Sequence, residues 1–150
     1  MVRLNYSVMI DSPTEHVWKT MLDPGSYLEW ARAFSPNSTY AGDWSEGSHM
    51  LFTDPNLGGT KAVLEKVVPL QLIRARHLAI LSKEGIEDTQ SDEARKWVGA
   101  IEEYRFRESN GKTTVDVAMT VHKDFVGMFN ENWPEALNLL KNLCERKVQA

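Results

Sequence analysis

Apolar and polar positions alternate from the first residues of the chain. Leu4, Tyr6, Val8 and Ile10 interleave with Arg3, Asn5, Ser7 and Met9, the period-two pattern of a strand with one buried face. Ser12-Pro13-Thr14-Glu15 then reads as a capping box, with Ser12 accepting from orphan amides, Pro13 in the first helical position and Glu15 reaching back. The helix it starts places Val17, Trp18, Met21 and Leu22 on one face. Asp23-Pro24 ends that helix and opens a second short one through Tyr27, Leu28 and Trp30. From about residue 37 to 122 the signals are those of strands and hairpins, with turns expected at 42–47, 54–59 and 67–71. Residues 82–96, polar and acidic, are expected to form an exposed loop with at most one helical turn. Residues 97–107 and 113–121 read as strands joined at Asn110-Gly111, the best two-residue hairpin signal in the chain.

Helical spacing appears over 124–148, where Phe125, Met128, Phe129, Trp133, Ala136, Leu137, Leu140 and Cys144 share a stripe. Pro134 lies inside it without an amide hydrogen. Either the helix kinks there, or a short turn precedes a main helix starting near Asn132. The order of strand, two short helices, six strands and a long helix predicts an α+β fold: a curved antiparallel sheet of about seven strands with one face covered by the C-terminal helix.

A two-residue loop fixes register, and register decides which side chains share a face. With Asn110-Gly111 as the loop, Phe106 opposes Val115, Tyr104 opposes Val117 and Glu102 opposes Met119, so this row faces the helix. Glu103, Arg105 and Arg107 point the other way with Thr114, Asp116 and Thr120. On the preceding strand Ile73, Ala75, His77, Ala79 and Leu81 belong to the helix side, joined by Ala62 and Leu64 if Pro69-Leu70 is a two-residue turn. That face holds two ionisable residues, His77 and Glu102. They are a fold-specifying polar pair, a polar anchor in an apolar cavity, or an acid and base.

Composition narrows the function. Hydrophobic residues make up 42% and charged residues 25% of the 150, ordinary for a globular domain. A net charge of −4 offers no basic footprint for nucleic acid and no polybasic stretch for an anionic membrane. No apolar run approaches membrane-spanning length, the N-terminus lacks a signal-peptide pattern, and the lone Cys144 forms no internal disulfide. One cytoplasmic domain over 1–150 is the expectation, with Cys144 a packed helix residue. No phosphate-binding glycine loop, nucleophile elbow or calcium loop is present, and the four histidines have no metal-site spacing, so no metal, cofactor or catalytic residue is assigned. Trp18, Trp30 and Trp133 read as core. Trp44 and Trp97 either cover a pocket mouth or pack locally.

Several segments carry a resemblance. Ser12-Pro13-Thr14-Glu15-His16-Val17-Trp18, Asp43-Trp44-Ser45-Glu46-Gly47-Ser48, Gly59-Thr60-Lys61-Ala62-Val63, Lys96-Trp97-Val98-Gly99-Ala100 and Trp133-Pro134-Glu135-Ala136-Leu137 resemble the START-like (SRPBCC, birch-pollen-allergen-like) superfamily. His77-Leu78-Ala79, Glu87-Asp88-Thr89 and Glu102-Glu103-Tyr104 add to it, and the branch resembled is the C-terminal domain of the heat-shock protein 90 ATPase activator. The resemblance spans nearly the whole chain and implies the helix-grip fold, with a cavity for hydrophobic or amphipathic ligands. Ala79 stands where that branch has glycine, which implies a locally narrower cavity.

The leading function is therefore binding of a small apolar or amphipathic molecule between sheet and helix, with Phe52, His77, Glu102, Tyr104, Met119, Phe129 and Trp133 as lining residues. The alternatives are an enzyme of the cyclase or hydrolase type using His77 and Glu102 in the same cavity, and a co-chaperone-like interaction domain with a chaperone partner. Fold cannot choose among them.

Overall fold

The computed structural model describes residues 1–146. Strand β1 (Val2–Ile10) leads into helices α1 (Thr14–Leu22) and α2 (Pro24–Ala31). Strands β2 (Thr39–Ala41), β3 (His49–Asp54), β4 (Gly58–Val68) and β5 (Leu72–Leu81) follow as a meander. A two-residue strand β6 (Glu87–Asp88) and helix α3 (Asp92–Trp97) precede the hairpin β7 (Ile101–Ser109) and β8 (Lys112–Val121). After a single 3-10 turn, helix α4 (Val126–Glu145) closes the described chain. The antiparallel sheet runs β1-β8-β7-β5-β4-β3-β2, with β6 paired to β5 off that path. Eight strands thus replace the expected seven, the extra one being the short β6.

The β7–β8 hairpin has the expected register. Phe106 opposes Val115, Tyr104 opposes Val117 and Glu102 opposes Met119, and Asn110 takes the positive φ of 53° that its turn requires. β1 extends the same row, with Leu4 opposite Met119, Tyr6 opposite Val117 and Val8 opposite Val115. Val115, Val117, Met119, Tyr104 and Phe106 are all buried in one core with Phe129, Trp133, Ala136, Leu137 and Leu140 of α4. The other face carries Arg74 and Arg105 on Glu103, Arg107 on Asp116 and Arg76 on Glu65. Those pairs are half-exposed and contribute little to stability.

Four expectations are corrected. Ser12 does not cap α1. Pro13 is the cap residue, Ser12 is buried with its carbonyl accepting from Thr113, and the Thr14 amide donates to the Glu108 carboxylate at 2.6 Å. Residues 97–100 are not strand, because Ser91 Oγ accepts from the Ala94 amide, acidic Asp92 and Glu93 fill the first turn, and the helix so started runs to Trp97. The β4–β5 connection is a three-residue loop, with Val68 opposite Leu72 and Leu70 at φ 68°. Register shifts beside Glu65 and Leu78 still bring Leu64 opposite Ala75 and Ala62 opposite His77. The shift at Leu78 puts Ala79 opposite Lys61 and Leu81 opposite Gly59, so both are buried yet outside the core shared by Ile73 and Ala75.

Pro134 sits inside α4 without breaking it. Its ring is on the solvent side, and Asn130, whose carbonyl its missing amide would have bonded, is also exposed, so water can serve that carbonyl. The main helix therefore starts at Val126 rather than near Asn132. The expected helix end at Val148 lies outside the described residues.

Candidate ligand-binding site

Between the concave sheet face, α2 and the first half of α4 lies a cavity of about 340 Å³. A volume of this size falls within the range of small-molecule pockets. Its wall is aromatic, because each bordering element sends in one face: Tyr27 and Trp30 from α2, Phe52 from β3, Phe129 and Trp133 from α4. Trp133 is its centre. The indole is 2% exposed, stacks on Trp30 with ring centroids 6.2 Å apart, and meets Phe34 at 4.9 Å and Tyr104 at 5.8 Å.

One polar cluster interrupts this wall. His77 and Glu102 lie on neighbouring strands but not directly opposite: Glu102 opposes Ala75, and the His77 amide bonds the Ala100 carbonyl beyond the end of β7. The diagonal offset lets the side chains meet, with His77 Nε2 at 2.8 Å from Glu102 Oε1. Tyr104 donates its hydroxyl to the other carboxylate oxygen. Burial pushes the Glu102 carboxyl up, but the hydrogen bond and charge of His77 and the Tyr104 hydroxyl outweigh it and hold the group below its ordinary value. Burial first, and the Glu102 charge second, raise the Tyr104 phenol well above its usual range. Tyr27 is raised by the same two causes in the same order, with a smaller contribution from Tyr40. At neutral pH Glu102 is therefore a carboxylate, held by the Tyr104 hydroxyl and the His77 ring.

The mouth is less apolar. Ser35, Ser38 and Thr39 border it from one side and Leu57, Gly58 and Gly59 from the other, with Met128 of α4 beside them. Asp54 fastens the two sides together. Its carboxylate accepts from Ser35 Oγ and from the amides of Asn37 and Asn56, and the Ser35 hydrogen bond is the main cause holding its pKa low.

No family model and no curated protein matches the sequence. Solved structures match in shape. Protein MLL2253 from Mesorhizobium loti is similar with a TM-score of 0.78 at 12% identity, over 99% of this chain and 100% of that one. The Aha1 dimer from Colwellia psychrerythraea gives 0.73 at 19% identity, covering 97% of each chain. CalU16 from Micromonospora echinospora gives 0.68 at 15% identity, over 95% of this chain and 76% of its own. This chain has the START-like helix-grip fold.

Within the helix-grip frame, six of the seven residues expected to line the cavity do border it: Phe52, His77, Glu102, Tyr104, Phe129 and Trp133. Met119 does not. It is buried behind Trp133, whose indole nitrogen donates to its sulfur at 2.9 Å. Ala79 does not border the cavity either, since the irregularity at Leu78 takes it off that face, so its methyl does not narrow the space. Trp44 and Trp97, left open between mouth and local packing, are both wall residues. Sequence reasoning missed Tyr27 and Phe34 as lining, although Tyr27, Trp30 and Phe34 recur at helical spacing. Asp54 gave no signal beyond a turn, because Ser35 and Asn37, two of its three partners, arrive from a different loop. Cys144 is buried, and burial pushes its thiol up to about 11, so it stays protonated.

Proposed function

We propose that this protein binds a small hydrophobic or amphipathic molecule in the cavity between the sheet and α4. The observation that carries this reading is the aromatic wall interrupted by a single carboxylate–imidazole–phenol cluster. Apolar area supplies affinity in such a pocket, and a few convergent polar groups set orientation. DynU16, a further similar structure at 14% identity, belongs to the dynemicin biosynthetic locus, which is consistent with small-molecule work for a chain of this fold.

Catalysis in the same cavity is the second reading, favoured by the His77–Glu102 contact. It ranks lower because His77 and Tyr104 already engage both Glu102 oxygens, and a pKa held below its ordinary value makes that carboxylate a weak base. The chaperone-partner reading rests on a likeness to the Aha1 structure at an identity that carries fold alone. Among the described residues no helix is long and apolar enough to cross a membrane.

Native mass spectrometry of the purified protein, followed by titration with lipids and aromatic compounds, tests the binding reading. A one-to-one adduct released on denaturation is expected. A protein that stays free across the whole panel would overturn it.

A further inference from the structure

The cavity wall has acidic side chains and, among the described residues, no lysine or arginine. Tyrosines aside, its ionisable residues are Asp54, His77 and Glu102. Glu102 keeps 15% of its side-chain surface accessible, against 3% for His77. Asp54 stands at the mouth with uncharged partners, Ser35 Oγ and the amides of Asn37 and Asn56. Both carboxyls are held below their ordinary values, so both are ionised at neutral pH. With His77 neutral the wall therefore carries two negative charges, and with His77 protonated it still carries a net one. Positive charge prevails in neither state.

The rest of the wall has the same preference. Nine of its residues are Phe, Tyr or Trp, and the face of an aromatic ring is the negative part of its quadrupole. Four of these rings form a chain that begins at Glu102. The Tyr104 hydroxyl lies on the carboxylate, Tyr104 meets Trp133 at 5.8 Å, Trp133 stacks on Trp30, and Trp30 meets Tyr27 at 4.9 Å. After burial, the charge of Glu102 is the next cause raising the Tyr27 phenol, so its field extends to α2. Each Glu102 oxygen already has a protein partner. What the carboxylate has left to offer a ligand is charge more than hydrogen bonds.

We propose that the ligand is an organic cation, a tertiary or quaternary ammonium on a compact apolar body, with its charged end between Glu102 and the rings of Tyr27, Trp30 and Trp133. The inference rests on the ligand-binding reading above and adds the ligand's charge. A substituted ammonium is recognised by charge and ring faces and asks for few hydrogen bonds, which matches what this wall provides. Fatty acids and other anionic amphiphiles are disfavoured, because they would set like charge against Glu102 where little water screens it.

Three naphthalenes of similar shape and different charge test this in the intact protein by calorimetry at neutral pH. They are (naphthalen-2-ylmethyl)trimethylammonium, its uncharged carbon isostere 2-neopentylnaphthalene, and naphthalen-2-ylmethanesulfonate. The ammonium is expected to bind the parent at least about tenfold tighter than the sulfonate. Glu102→Gln should cut the ratio of ammonium to isostere affinity about tenfold, a ratio that a general loosening of the pocket would not move. Tyr27→Leu, which spares the Glu102 cluster, should lower the same ratio about threefold, the scale of one cation–π contact. If the sulfonate binds the parent as tightly as the ammonium, or the ratio stays put in both variants, the charge inference is wrong while the binding reading stands. If none of the three binds, the binding reading fails and takes the inference with it.

Discussion

At the scale of single residues, Glu102 is the one whose chemistry the fold alters most consequentially. A carboxylate on an apolar sheet face is costly unless paired, and here the Tyr104 hydroxyl and His77 Nε2 take its two oxygens. Because its pKa is depressed in the folded state, the stabilisation is fully present above the unfolded-state value, about 4.3, and is lost as pH falls through the folded-state value. Glu102→Gln should lower stability at pH 7 by about 1.5–3 kcal/mol, the range for hydrogen bonds to charged groups. Urea titrations from pH 7 down to 3 check this. The gap between the two proteins should close toward the acid end, and a gap of constant size would mean the carboxylate's charge is not what stabilises. The two residues of this pair were legible from the alternation of β5 and β7 alone. Their diagonal contact was not, since it depends on an offset of two residues between the strands.

At the scale of elements, the hairpins divide into those written locally and those decided by distant neighbours. Asn110-Gly111 encodes its own turn, so every pairing of β7 with β8 could be read in advance. The irregularities beside Glu65 and Leu78 have no such local mark, and they decide that Ala79 leaves the cavity face. The start of α1 is likewise set from afar, by Glu108 at the far end of β7. Glu108→Ala should therefore destabilise the protein by about 1 kcal/mol, as lost helix caps do, and speed hydrogen exchange at Thr14. An unchanged Thr14 exchange rate would return the cap to Ser12. Gly59 offers a sharper test, because a β-carbon there would lie 1.9 Å from the Phe52 carbonyl oxygen and 2.7 Å from the Thr53 α-carbon. Those atoms are β3 backbone and cannot move aside cheaply. Gly59→Ala is expected to force β3 and β4 apart beside the cavity, lowering the melting temperature by several degrees for an expected cost of about 1–3 kcal/mol. A melting curve that overlays the parent's would show that this strand pair is not as close as described.

At the scale of the whole molecule, Trp133 joins helix and sheet. It touches the rings of Tyr6, Trp30, Phe34 and Tyr104 at once, so one indole ties β1, α2, β7 and α4 together. Truncation to alanine should cost about 3–5 kcal/mol and weaken binding of apolar probes. Thermal melts with probe fluorescence check both, and a variant nearly as stable as the parent would place Trp133 outside the core. The order of elements and the helix-grip architecture were legible because periodicity, turns and the resemblance agreed. The cavity was less so: α2 and the loop after it contribute Tyr27, Trp30 and Phe34, and nothing local shows that this segment packs beside α4.

The central claim is that the space under α4 receives an apolar molecule, and a filled cavity tests it most directly. Thr60 borders the cavity and opposes Phe52 across β3 and β4, so Thr60→Trp would place an indole in the space. Titration of the uncharged fluorophore N-phenyl-1-naphthylamine into both proteins is the measurement. The parent should show one saturable site of about micromolar affinity, and a folded Thr60→Trp should bind about tenfold more weakly or not at all. No saturable binding by the parent, or equal affinity in the filled variant, would contradict the account.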